Sequence, residues 1–297
     1  MHKLSNYYVE LVLLLVAFLW GIHPAVVKIG LANVSPVPYN ALRLDIALAV
    51  AWPAVAASGR YRPIDRQDVK PFLLISLVGF FVFQLFFTVG VQNTTAGNSS
   101  LILSLIPVSV ALINRAFGLE RISRQILLGI VASMAGIFLI VLGSGKEVSL
   151  AGPHLLGAVM LLAGQAGYGY YTVFSKDLLA KYSPYQVTAV VTTVSAILFT
   201  LISLPDFLSL SWSTIPADAW LSMTYSGAAG LCLGNYLFLW GVTKVGSAHA
   251  AVYNNFCPVF SIIAGYFMLG EEFGLLQLAG AAIIFWGLYQ TRRKPAV

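Results

Sequence analysis

Charge is what this chain has least of. Only 9% of its 297 residues are Asp, Glu, Lys or Arg, where ordinary soluble domains carry about 25%. So few charges cannot clothe a wetted surface. With 59% hydrophobic residues and a mean hydropathy of +0.84, the chain belongs in lipid, as one integrated bundle and not two soluble domains. Cysteine is nearly missing too. Cys232 and Cys257 each stand in an apolar stretch, without metal-ligand spacing or a disulfide framework, and read as small buried apolar residues. Clustered carboxylates, paired histidines at ligand spacing and an activated nucleophile are lacking, which argues against an intramembrane enzyme. Rings of like charge, which a passive channel uses, are lacking as well. The net charge of +6 does not make a nucleic-acid patch, because the cations fall between apolar runs. Nothing in the sequence calls for a cofactor or a metal.

What is there is long apolar runs. About 20 such residues cross the hydrocarbon core as a helix, which satisfies its own backbone hydrogen bonds. Ten segments qualify: about 9–30, 36–57, 71–91, 95–115, 123–143, 153–175, 184–204, 217–241, 247–269 and 274–291. Lys3 before the first run resembles a signal peptide, but the run outlasts the usual short apolar core and nine more follow, so it reads as a retained span.

The runs repeat. Gly21 aligns with Gly169, Lys28 with Lys176 and Ser35-Pro36 with Ser183-Pro184, all at a shift of 148 residues. Further along, Gly90 aligns with Gly241, Pro107 with Pro258, Glu120 with Glu271, Gly129 with Gly280 and Gly136 with Gly287, at a shift of 151. Matches of Pro, Glu and Lys in constant order indicate a duplication. Five spans per copy is odd, so the second copy enters the membrane upside down, as in many secondary transporters. The expected fold is an all-α integral membrane protein: ten transmembrane helices in two inverted five-helix repeats, residues 1–146 and 147–297.

Lys and Arg set the orientation. With a cytoplasmic N-terminus, fourteen of them flank the cytoplasmic ends, from Lys3 through Arg60, Lys181 and Lys244 to Lys294. Only Lys28 and Lys146 fall on the other side, and Arg43 lies within a span. That asymmetry places both termini in the cytoplasm. Gly129 and Gly136, and likewise Gly280 and Gly287, lie two turns apart on one face and suit close helix contact in lipid. Packing within the subunit is the favoured use of that face and a dimer seam the other, giving a monomer or weak homodimer.

These residues are familiar as a set. Gly90-Val91 through Thr94-Thr95-Ala96-Gly97, Leu105-Ile106-Pro107, Gly118-Leu119-Glu120-Arg121, and Gly129 with Gly136 resemble the EamA repeat of the drug/metabolite transporter superfamily. So does the stretch from Gly241-Val242 through Pro258, Gly270-Glu271-Glu272 and Gly280. The resemblance covers nearly the whole chain and implies a ten-span fold, a central cavity between the halves, and export of small metabolites, most often amino acids or related compounds. It does not specify a substrate.

Polar groups within spans are expensive and point to function. Arg43 and Asp45 sit on the second span, two residues apart and so facing different ways. Arg43 either meets an anionic group of the substrate or tethers a helix end. Trp20 and His23 share a face of the first span beside Pro24. Tyr168 is the repeat equivalent of Trp20, and both rings suit a cavity wall. On span nine His249 and Tyr253 share a face, and Asn254-Asn255 leads into Cys257-Pro258. In the first copy Asn98, Ser99, Ser100 and Ser104 precede Pro107. Such polar runs before a proline fit bent helices lining a cavity. Gln84 and Asn235 are equivalents that add polar contacts. The candidate substrate site is therefore Trp20, His23, Arg43, Gln84, Asn98, Tyr168, Asn235, His249, Tyr253 and Asn254. Asp45, His23 and His249 are the candidates for proton coupling. The expected function is export of small metabolites, amino acids foremost, across the cytoplasmic membrane. The rivals are a broad organic-cation efflux pump, for which Asp45 would be the needed embedded acid, and, more remotely, an intramembrane enzyme.

Overall fold

A computed structural model of the chain describes residues 2–119, 124–143, 153–246, 250 and 253–292. Among these residues the regular structure is helical throughout. The first half holds α1 (His2–Leu31), α2 (Pro36–Ser58), α3 (Arg66–Asn93), α4 (Ala96–Leu103), α5 (Ile106–Ala116) and α6 (Arg124–Gly143). The second holds α7 (Pro153–Leu179), α8 (Pro184–Ser209), α9 (217–245), α10 (Cys257–Leu269) and α11 (Leu275–Arg292). Within the described residues the expected apolar runs fall on these helices, on the bent pair α4–α5 or, for the ninth run, on a 3₁₀ turn and α10. Among the described residues four helices are long and apolar enough to cross a membrane singly, namely α1, α2, α3 and α8, and the pair α4–α5 would make a fifth.

Local chemistry sets the breaks. Ser35-Pro36 and Ser183-Pro184 start α2 and α8 alike, with extended backbone at the serine and proline in the first turn, where its missing N–H costs nothing. Gly59 ends α2 and Gly270 ends α10 with φ of 60° and 63°, a left-handed turn that favours glycine. The polar stretches before the prolines do interrupt their helices. The α4 and α5 axes bend by 41°, and a 3₁₀ turn at Asn254–Phe256 precedes α10. Two π-helical segments, Ile75–Phe81 in α3 and Tyr225–Leu233 in α9, fall at equivalent places in the repeat.

The halves interleave. α1 packs against α9 and α10 of the second half, and α7 packs against α3 and α5 of the first. Glycine permits the closest of these approaches, and the contacts come in pairs. A Cβ on Gly21 would lie 2.5 Å from Cβ of Phe260, and one on Gly169 3.0 Å from Cβ of Ser109. A Cβ on Gly90 would meet Leu161, and one on Gly241 would meet Leu13, each at 2.5 Å. Each pair is carried onto the other by the repeat.

Two helix pairs run antiparallel at the periphery. Trp52 Nε1 donates to Thr193 Oγ1 at 3.0 Å, and Thr200 Oγ1 donates to Asp45 at 3.2 Å, so α2 and α8 run in opposite senses. A shift of 148 exchanges these two contacts. On α6 and α11, Gly136 faces Gly280 and Ile284 while Gly143 faces Leu276 and Gln277. Those helices are antiparallel too, and the small-residue faces meet within one chain. Outward, large apolar side chains stand bare, among them Phe267 at 79% exposure and Leu208 at 91%, as lipid contact requires.

Candidate functional site

A cavity lies where α1, α3, α4, α7 and α9 converge with the 3₁₀ turn before α10. Six of the expected site residues line it: Trp20, His23, Gln84, Tyr168, Asn235 and Asn254. Trp20 and Tyr168, equivalent by the repeat, meet edge to face with centroids 6.0 Å apart. Tyr168 also packs on Phe83 at 4.7 Å, and His23 stacks on Phe87 at 5.2 Å. The wall is mostly aromatic and aliphatic, with a few polar groups at set places, the usual make-up of a small-molecule site.

The π segment of α9 supplies one side. Its Gly230 carbonyl accepts from Trp20 Nε1 at 2.9 Å, and Ser226 Oγ lies 2.7 Å from Nε2 of His23. A Cβ on Gly230 would come within 3.0 Å of that same Nε2, so glycine keeps the histidine in place. π segments recur at functional sites, and this one touches two site residues.

Arg43 is wholly buried one layer behind the wall. Its Nε and Nη2 donate to Asn40 Oδ1 at 2.9 and 2.6 Å, Nη2 donates to Gln84 Oε1 at 2.7 Å, and Nη1 donates to Ser226 Oγ at 3.0 Å. The rings of Tyr39 and Phe87 lie 5.6 and 5.4 Å from the guanidinium carbon. Thus Arg43 reaches the cavity through Gln84 and Ser226 instead of lining it.

Other expected residues lie elsewhere. Asn98 is buried in the first turn of α4, where its Oδ1 accepts from Gln277 Nε2 at 3.1 Å; Gln277 holds it away from the cavity. Tyr253 is half-buried beside Phe256, with ring centroids 6.5 Å apart, and is not among the lining residues. Asp45 is exposed on the outer face of α2, bonded to Thr200, and does not reach the cavity. His249 and Glu120 lie outside the described residues. The lining also includes Phe83, Phe87, Leu103, Ile106 and Leu231, which sequence reasoning missed. Apolar residues carry no sign of facing a cavity instead of lipid.

Two lining groups have no partner among the described residues. Both amide atoms of Asn254, a residue 2% exposed, and the hydroxyl of Ser100, 1% exposed, are unsatisfied. Buried polar groups normally find partners, and these two open towards the cavity they line.

Polar links join the halves at each end. At one, Asp68 accepts from Lys181 at 2.8 Å and from Tyr182 at 2.8 Å. That hydrogen bond chiefly holds the Lys181 ammonium above the ordinary lysine pKa. At the other, Lys28 donates to the Thr94 carbonyl and pairs with Glu271 at 3.7 Å. Glu271 in turn accepts from the Ala96 and Gly97 amides at 2.8 and 3.2 Å, capping α4.

A helical, multi-pass membrane protein built around an aromatic-walled cavity is the architecture of a small-molecule carrier. The profile of the EamA-like transporter family matches residues 8–142 and again 155–292, and the chain belongs to that family, which is one of transporters and not of enzymes. A protein of Archaeoglobus fulgidus described as an uncharacterized transporter is 26% identical over 96% of this chain and 98% of its own length. A Salmonella typhimurium protein described as a probable amino-acid metabolite efflux pump is 28% identical over 93% of this chain and 92% of its own. A solved crystal structure superposes with a TM-score of 0.67 at 18% identity, covering 96% of each chain, which speaks to the fold alone.

Proposed function

We propose that this protein exports small metabolites, with amino acids and related compounds the leading class, across the cytoplasmic membrane by alternating access. The observation that carries the reading is the cavity, whose walls are drawn from both halves and include the equivalent pairs Trp20/Tyr168 and Gln84/Asn235. A site shared in this way lets rocking of one half against the other expose it to either side. Ten spans, arranged as inverted repeats over 1–146 and 147–297, fit the antiparallel run of α2 against α8 and of α6 against α11. Both termini lie in the cytoplasm on this reading, from the Lys and Arg asymmetry. The binding residues are Trp20, His23, Gln84, Tyr168, Asn235 and Asn254, with Arg43 behind them. A substrate drives the cycle only through different affinity for the inward and outward states.

The test is efflux from liposomes holding the purified protein and loaded with mixed amino acids, nucleosides and organic cations, followed by mass spectrometry. Saturable, selective loss of amino acids supports the reading. Selective loss of cations alone replaces it with a cation pump.

A further inference from the structure

The geometry points to a carboxylate receptor on one wall of the cavity, built by Arg43 without touching the substrate. The inference rests on the reading of this cavity as the substrate site. A guanidinium has five N–H donors, no acceptor, and stays ionised in proteins. Its partners therefore accept, which fixes their orientation. Gln84 must turn Oε1 to Arg43 at 2.7 Å, leaving its Nε2 amide protons for other partners. Ser226 must accept from Nη1 at 3.0 Å, so its own proton is free to go to Nε2 of His23, 2.7 Å away. That assignment leaves the histidine proton on Nδ1. Both Gln84 and His23 line the cavity. The acceptor oxygen of Gln84 is taken by the Arg43 cation, so Gln84 offers N–H inward, and in the tautomer that accepts the Ser226 proton His23 does so too.

Charge acts in the same sense. Among the described residues no carboxylate lies within ion-pair distance of Arg43; all its hydrogen-bond partners are neutral. Asp45, two residues on, bonds to Thr200 on the outer face. A buried charge without a counter-ion is costly, and an anionic ligand group against Gln84 and His23 would relieve that cost. An ammonium there would meet both the wrong charge and the wrong hydrogen-bond polarity. The ligand class is thus an organic acid with an aromatic or bulky apolar body. Any amine it carries lies towards the unsatisfied Asn254 and Ser100.

Phenylacetate, phenylacetamide and phenethylamine share a ring and differ in charge. Their binding to purified protein, read by thermal shift, tests the inference without requiring transport. Wild type should bind the acid at least about tenfold more tightly than the amide, about 1.4 kcal/mol, and the amine most weakly. Gln84→Glu keeps an oxygen on Arg43 while neutralising it, and should erase the acid preference. Arg43→Lys should retain it and Arg43→Met should lose it. A purely structural role for Arg43 would weaken all three ligands alike. Equal binding of acid and amide by wild type, binding of none of the three, or an unchanged preference in folded Gln84→Glu overturns the proposal. An acid preference in binding with no flux in liposomes keeps the receptor and sinks the exporter reading instead.

Discussion

The two halves agree where backbones touch and disagree where the cavity begins. Gly21 and Gly169, Gly79 and Gly230, and Gly90 and Gly241 all take close contacts, each paired with the equivalent neighbour in the other half. The cavity positions diverge: His23 answers to Tyr171, Arg43 to Val191, Leu103 to Asn254, and Ser226 to Ile75. Where helix axes must come close, any side chain is a clash in either copy, so packing keeps the duplication. A cavity needs one set of polar groups facing one ligand. The Arg43 cluster therefore has no mirror; around Val191 the corresponding positions are Thr188 and Ile75.

The packing side of that comparison predicts the largest effect. A Cβ on Gly136 would lie 2.6 Å from the Gly280 carbonyl oxygen, and one on Gly280 would lie 2.6 Å from that of Gly136. Neither backbone can yield without separating α6 from α11. Gly136→Val and Gly280→Val should each cost about 3 kcal/mol, the upper range for overpacking, and by equal amounts. Melting of the detergent-purified variants checks this. A large loss in one and none in the other would break the symmetry of the seam.

That seam was legible because small residues seven apart mark a face, and so were the apolar runs, the serine–proline helix starts and the helix breaks before Pro107 and Pro258. The site was half legible. Trp20, His23, Gln84, Tyr168, Asn235 and Asn254 stood out because a polar or amphipathic group within an apolar run needs a reason. The π segments carry no residue signature, and they decide that Ser226 and Gly230 face α1. Asn40 and Ser226 gave no hint of meeting Arg43, since Ser226 is 183 positions away and only the folded helices bring it near. Asn98 misled because its polarity serves Gln277, not the cavity.

Gly79 and Gly230 sharpen the comparison, being equivalent positions with different neighbours. A Cβ on Gly79 would sit 2.9–3.2 Å from Cβ, Cα and N of Tyr171, which are fixed. A Cβ on Gly230 would sit 3.0 Å from a ring atom of His23, which can turn. Alanine gains about 0.5–1 kcal/mol over glycine within a helix. Gly230→Ala should therefore be nearly neutral in stability but depress flux by turning His23 off Ser226. Gly79→Ala should lose about 1 kcal/mol and retain flux once folded. Melting curves and liposome efflux on the same preparations separate the two.

Asn254→Leu gives the second half the residue that the first half has at Leu103. It removes two buried, unsatisfied amide atoms, whose desolvation costs about 1–3 kcal/mol when no partner is found. The expected result is a rise in stability of about 1 kcal/mol together with loss of substrate flux. A stabilised, inactive protein is the mark of a polar group held ready for a ligand. Lower stability would mean that Asn254 has a structural partner, and the cavity would be more symmetric than it looks.

Asp45→Asn should do least. Its carboxylate is exposed on α2 and accepts from Thr200 Oγ1 at 3.2 and 3.4 Å; an amide oxygen can take the same hydrogen bond. The repeat-related contact, Trp52 with Thr193, holds the same helix pair without any charge, so the seam between α2 and α8 does not depend on an ionised group. Stability should change by less than about 0.5 kcal/mol, as for surface positions without special partners. Transport measured with and without an imposed proton gradient should match wild type, because the residue lies apart from the cavity. If pumping instead became independent of the gradient, Asp45 would be the coupling site, and the outer face of α2 would belong to the working part of the molecule with Thr200 as its switch partner.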